Sequence, residues 1–116
     1  LPIQLALTYP ERTVCPVDPL NLLTCGPLTF SAPNLECFPC LKLAMECAKK
    51  GGTACPVMNG ANEEAVAKFL RDEIGFYDIY RLVRHAVDSV PFIQNPTLEE
   101  ILEADRLARI CVNEGI

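Results

Sequence analysis

From Pro39 onward, apolar positions recur at helical spacing. Leu41, Ala44, Met45 and Ala48 form a first stripe, and Pro39 suits the opening turn of a helix, where a missing N–H costs nothing. Lys49 and Lys50 complement the negative end of the helix dipole, and Gly51-Gly52 follows as a stop. The spacing predicts a helix over 39–50. Residues 53–59 read as a connection, with Asn59 or Asn62 capping a second helix whose first turn holds Glu63 and Glu64. Ala61, Ala65, Val66, Phe69 and Leu70 give that helix its stripe, and Gly75 is expected to end it. A third helix is predicted from about Tyr77, on Ile79, Leu82, Val83, Ala86, Val87 and Val90, closed by Pro91. The fourth opens on Thr97-Leu98-Glu99-Glu100, a capping box in which the Thr hydroxyl and the Glu carboxylate each accept from the other's backbone N–H. Leu98, Ile101, Leu102, Ala108, Cys111 and Val112 are its expected buried face, and Gly115 its C′ residue.

Residues 1–35 carry no such period. Leu5-Ala6-Leu7 is a short apolar run stopped by Pro10, and Pro16, Pro19, Pro27 and Pro33 break any long helix. Leu20, Leu22, Leu23, Leu28 and Phe30 read as anchors that tack an extended segment onto something else, with a short strand expected at Thr29-Phe30. The fold class predicted is mostly α. An irregular amino-terminal segment, 1–35, precedes a bundle of four amphipathic helices, 36–116. Each helix needs the others to bury its stripe, and short connections favour antiparallel neighbours.

Composition sharpens this picture. The 116 residues suit one ordinary domain. Ten Lys+Arg against fifteen Asp+Glu give a net charge of −5, which supplies no basic footprint for nucleic acid. Half of the residues are hydrophobic, more than so small a chain easily hides, so a partner surface is expected. No apolar run approaches the roughly 18 to 20 residues that span a bilayer. The start, Leu1-Pro2-Ile3-Gln4, has neither an initiator Met nor a charged leader region, as expected of a fragment or processed product.

Seven cysteines are present, at 15, 25, 37, 40, 47, 55 and 111. An odd count leaves one thiol outside any complete disulfide framework. Cys37-Phe38-Pro39-Cys40 has the spacing of a zinc chelate or a dithiol couple. Zinc needs two further ligands; Cys47 and Cys55 are nearest, without a second C-x-x-C, and the single histidine, His85, is distant. The cysteines therefore read first as small apolar residues of a reduced, cytoplasmic protein. His85 lies beside the stripe of its helix, as a structural residue does. Asp105 falls within the buried side of the last helix and is expected to accept a hydrogen bond from a neighbouring segment, since an unpaired buried carboxylate is too costly. The sequence holds no GxGxxG, P-loop or HExxH. The residue inventory alone reads as a helical support or interaction module.

A set of strings falls in one order along the chain: Leu1-Pro2-Ile3-Gln4, Tyr9-Pro10-Glu11-Arg12, Leu28-Thr29-Phe30, Phe38 to Glu46, Gly51-Gly52-Thr53, Met58 to Val66, Ile74 to Ile79, and Leu98 to Ile101. Together they resemble the carboxyl-terminal part of the 1-deoxy-D-xylulose 5-phosphate reductoisomerase family, over essentially the whole chain. The resemblance implies the end of a catalytic domain, a linker and a four-helix carboxyl-terminal domain. It implies a parent that rearranges and reduces 1-deoxy-D-xylulose 5-phosphate with NADPH and Mg²⁺ or Mn²⁺, a step of non-mevalonate isoprenoid synthesis. It also implies that the family's nucleotide fingerprint, acidic metal ligands and phosphate-binding residues lie upstream of Leu1. No catalytic, cofactor or metal residue is therefore assigned to this chain, and Glu63 and Glu64 are read as helix-start residues. The partner implied is the parent's catalytic domain, with self-association of the isolated chain expected. The alternative is a stand-alone helical interaction module without activity.

Overall fold

The computed structural model describes residues 2–115. The chain divides into two units, one ending at Ala32 and one starting at Pro33.

The first unit holds one short helix, α1 (Pro2–Thr8). The Leu5-Ala6-Leu7 run is thus helical before Pro10 stops it. Side chains tie α1 to Glu11, Thr13 and Val14. Gln4 Nε2 donates to Val14 O at 3.0 Å and to Thr13 Oγ1 at 3.1 Å, and Thr8 Oγ1 donates to Glu11 O at 2.8 Å. Farther on, Asn21 Oδ1 accepts the Leu23 N–H, closing a turn. The strand expected at Thr29-Phe30 is not formed, and no strand exists among the described residues. Phe30 is 91% exposed, and no second strand within the unit pairs with it.

The second unit is the four-helix domain: α2 (Pro39–Lys50), α3 (Ala54–Leu70), α4 (Phe76–Ser89) and α5 (Leu98–Glu114). α3 is its centre, packing on α5, α4 and α2. The core runs through Leu43 and Cys47, Ala54, Val57, Ala61 and Ala65, Ile79, Leu82, Val83 and Ala86, and Ala104, Ala108 and Val112.

α2 occupies the predicted 39–50, with Pro39 in its first turn and Lys49 and Lys50 in its last. Its buried face is rotated from the predicted one. Leu43 and Cys47 point inward, and Leu41 and Met45 are exposed. Two overlapping i, i+4 stripes compete on this helix, and the one carrying a cysteine meets the neighbours.

α3 begins at Ala54, well before the expected start. The predicted connection, 53–59, is therefore the helix's first turns, apart from Thr53 itself. Pro56 falls where the backbone N–H has no intrahelical acceptor, so it does not break the helix. Asn59 and Asn62 lie inside α3 and cap nothing. Glu63 and Glu64 lie mid-helix rather than in a first turn. The helix ends at Leu70, followed by Asp72 with φ of 59°. Gly75 does not end it; it precedes α4, and its N–H donates to Asp78 Oδ2 at 3.0 Å.

α4 buries Ile79, Leu82, Val83 and Ala86 as predicted, with Val87 and Val90 packed against them. α5 opens on the predicted box. Thr97 N–H donates to Glu100 Oε2 at 2.8 Å, and Glu100 N–H donates to Thr97 Oγ1 at 3.3 Å. Its inner face differs from expectation, because Leu98 is 65% exposed and Leu102 is 61% exposed. Ala108 and Val112 face the core as predicted, with Cys111 packed half-buried against it, and Ala104 joins them where the leucines do not. α3 presents Gly60, Ala61 and Ala65, so small residues meet small residues and the two helices approach closely. At Gly60 even a methyl group would run into the Asp105 carboxylate.

One tie crosses the domain. Thr53 is buried; its N–H donates to Ile93 O at 3.0 Å, and its Oγ1 accepts the Ile93 N–H at 2.9 Å. Gly52, at φ of 53°, leaves no room for a side chain against Ile93 O and the Phe92 ring. The Lys50 ammonium sits 4.3 Å from the centre of that ring, a cation–π contact.

Candidate functional site

The densest polar cluster of the helical domain lies where α3 meets α5. Arg109 Nη2 donates to Glu63 Oε2 at 2.6 Å, across the helix pair. Its Nε donates to Asp105 Oδ2 at 2.8 Å, one turn back on α5. Asn59 Nδ2 donates to Glu63 Oε1 at 3.2 Å. The guanidinium holds the Glu63 carboxyl below the usual glutamate range, chiefly through that hydrogen bond, with the Asn59 amide adding to it. Asp105 and then Glu63 push the Arg109 guanidinium up in turn. Asp105 does accept a hydrogen bond, but its donor is on its own helix rather than on a neighbouring segment.

A second cluster repeats the design. Arg84 of α4 donates to Asp88 at 2.8 Å on its own helix and to Glu46 of α2 at 2.9 Å. Each arginine thus fastens its own helix to another. Carboxylates held this way are acceptors already in use. They hold helices together and offer neither a proton-transfer pair nor a vacant ligand set. Among the described residues no group of three or more His, Cys, Asp or Glu could hold a metal ion. His85 is half-buried on α4, beside the apolar stripe.

All seven cysteines are free thiols. Cys47 is buried in the core, which pushes its thiol up, with Cys55 nearby adding to the shift. Cys55 and Cys111 pack half-buried against the core. For these three the reading as small apolar residues holds. Cys25, Cys37 and Cys40 are exposed, so burial does not account for them.

Each unit has an open cleft. In the first unit, a cleft of about 340 Å³ lies between α1 and residues 12–15, lined by Gln4, Thr8, Arg12 and Thr13. In the second, an apolar groove is walled by Val90, Pro91 and Ile93 and by Ala104 and Leu107 of α5. Neither gathers convergent catalytic groups. Most notable is what stays outside: Leu20, Leu22, Leu23, Leu28 and Phe30 of the first unit are all exposed. Leu70, Phe76 and Tyr77 form an exposed patch at the α3–α4 corner, with Phe76 edge-on to Phe69 and to Tyr77.

The described residues thus combine paired surface charges with much uncovered apolar surface. Residues 1–111 match the family described as the DXP reductoisomerase C-terminal domain. The chain belongs to that family. A Bacillus cereus protein named 1-deoxy-D-xylulose 5-phosphate reductoisomerase 1 is 47% identical over 114 residues, covering 98% of this chain and 30% of the relative. A Synechococcus reductoisomerase is also 47% identical, over 109 residues, 94% of this chain and 28% of the relative. The solved Zymomonas mobilis reductoisomerase in complex with NADPH superposes with a TM-score of 0.83 at 40% identity, over 97% of this chain and 30% of that one. A structure of DOX-P reductoisomerase with NADPH, fosmidomycin and magnesium gives 0.82 at 38% identity, with the same coverage. The chain therefore spans about 30% of the length of these reductoisomerases.

The sequence strings that carry the resemblance all fall within the matched span. Sequence reasoning missed the Arg109–Glu63 bridge, whose partners are 46 positions apart, and the Thr53–Ile93 tie, 40 apart. Only the placement of Asp105 on the buried side of α5 hinted at the first.

Proposed function

We propose that this chain is the carboxyl-terminal part of a reductoisomerase that converts 1-deoxy-D-xylulose 5-phosphate to 2-C-methyl-D-erythritol 4-phosphate in the cytoplasm, using NADPH and Mg²⁺ or Mn²⁺. Within that enzyme its role is to pack against the catalytic domain and hold it in shape, with no active site of its own. The observation that carries this reading is the family match over residues 1–111, in a chain spanning about 30% of its relatives' length. The names of the solved relatives supply NADPH and magnesium. The residues of this chain do not fit either group. The most convergent carboxylates, Glu63 and Asp105, are taken by Arg109, and the sequence contains no glycine-rich phosphate cradle. We therefore assign both groups, and every step that uses them, to the rest of the parent. Residues 1–35, which take in the first unit and its exposed leucines, serve as the end of the catalytic domain and the linker, and 36–116 as the carboxyl-terminal domain.

Two measurements test this. An immunoblot of source cells should show a product several-fold heavier than 12.8 kDa. A product at 12.8 kDa would instead support the stand-alone interaction module. A chimera of the Bacillus cereus relative carrying this chain in place of its own tail should retain substrate-dependent NADPH oxidation, and the chain alone should show none. Turnover by the isolated chain would overturn the claim that it holds no active site.

A further inference from the structure

The packing role leaves Cys37-Phe38-Pro39-Cys40 unexplained. A cysteine retained as a small apolar filler is buried, as Cys47 is. Cys37 and Cys40 are both exposed and both free. A structural zinc takes four ligands, and among the described residues no third ligand joins this pair. The motif lies wholly inside the second unit, on backbone that is already held. Asn34 Oδ1 accepts the N–H groups of Glu36 and Cys37, each at 3.0 Å, and Asn34 O accepts the Phe38 N–H at 3.0 Å. Pro39 then fixes the first residue of α2, and Cys40 follows in the opening turn of a 12-residue helix. Residues 34–40 are thus ordered before any bond forms between the sulfurs, so little chain entropy opposes closure.

We propose that Cys37 and Cys40 form a reversible dithiol–disulfide site that exchanges with low-molecular-weight disulfides of the glutathione type. The Cys37 thiolate attacks one sulfur of the external disulfide. A mixed disulfide forms on Cys37, and the other half leaves as a thiolate that takes up a proton. Cys40, its proton lost to water, attacks the Cys37 sulfur and expels the second half. Two protein thiols are oxidised by two electrons, and one external disulfide is reduced to two thiols. Cys37 lies ahead of the N-cap Phe38 and Cys40 in the first turn of α2, which gives the first step to Cys37 and the second, intramolecular step to Cys40; partial burial pushes the Cys40 thiol up, in keeping with that order. The link joins the segment entering the helical domain to the first turn of α2.

The test uses the protein at its native length, fully reduced, then exposed to oxidised glutathione, quenched by alkylation and mapped by tandem mass spectrometry. The expected product is a Cys37–Cys40 linked peptide, two hydrogens lighter than the dithiol. Cys40→Ser should stop at glutathione on Cys37. Cys37→Ser should slow modification of Cys40 by about tenfold or more. Both side chains are exposed, and far-UV circular dichroism checks that the variants keep their helices. The proposal is overturned if Cys37 stays unmodified, if the mixed disulfide forms and is never resolved, or if Cys40 reacts equally fast without Cys37.

Discussion

Gly60 of α3 packs directly against Asp105 of α5. A Gly60→Ala side chain would need the space of the Asp105 carboxylate, which the Arg109 guanidinium holds in place. Overpacking of this kind costs about 1–3 kcal/mol, so chemical denaturation of Gly60→Ala should show a midpoint lowered to match. Thr53→Val keeps the shape but removes the acceptor for the Ile93 N–H, at a cost of about 1–3 kcal/mol for a buried donor left without a partner. The Glu63 bridge predicts a pH dependence. Its carboxyl is held below the usual glutamate range in the folded state, so its contribution is complete above the unfolded value and fades as the pH falls through the folded one. Thermal scans from neutral to acid pH should therefore show a steeper loss in the wild type than in Arg109→Met. Parallel curves would mean that the bridge contributes nothing in solution. Neither residue pair announces itself in the sequence. Glu63 reads as a helix-start acid because Asn59 and Asn62 look like caps, and only the structure shows that α3 already runs through Pro56 and that Gly60 is needed against Asp105.

At the scale of the element, the Thr97 capping box was readable, while the Asn59 or Asn62 cap, the Gly75 stop and some buried faces were not. Thr97 and Glu100 form the predicted box because capping is settled within four residues of chain. Thr97→Ala should cost about 1 kcal/mol. α4, whose stripe has a single orientation, also came out as expected. On α2 and α5 the large residues misled. Leu41, Met45, Leu98 and Leu102 promise more buried area than alanine does, yet they stay exposed, and Ala104 joins the predicted Ala108 in the core opposite the small residues of α3. A helix face is chosen by what meets it, and the partner here is 40 or more residues away in sequence. Substitution separates the two cases. Leu82→Ala should cost about 2–5 kcal/mol, while Leu102→Ala, being largely exposed, should fall within about 0.5 kcal/mol of wild type. Equal costs would mean that Leu102 is covered in solution.

At the scale of the whole molecule, the two units differ in how they hold their apolar residues. From Pro33 onward the chain encloses a core contributed by all four helices. Before Ala32, most large side chains remain in water, including Val14, Leu20, Leu23 and Phe30. Limited proteolysis of the isolated chain should cut first between residues 9 and 32, leaving a resistant product that starts near Pro33. Protection of that segment by self-association would show as a mass above that of a monomer in sedimentation. The four-helix architecture was legible from periodicity alone. Of the α3–α5 cluster, Glu63 and Asp105 were visible as acids but the arginine that joins them was not, because that bridge spans 46 positions of sequence.

The Thr53–Ile93 pair has a mechanical consequence. Two reciprocal hydrogen bonds join the α2–α3 turn to the α4–α5 connection, with Gly52 pressed against the same stretch of chain and Lys50 lying over Phe92. The two helical hairpins are riveted at one end and cannot splay there independently. Whatever force the rest of a larger protein applies to α2 is delivered through this rivet to the start of α5. The amides of Thr53 and Ile93 should accordingly exchange with deuterium at one shared rate, set by a single opening event.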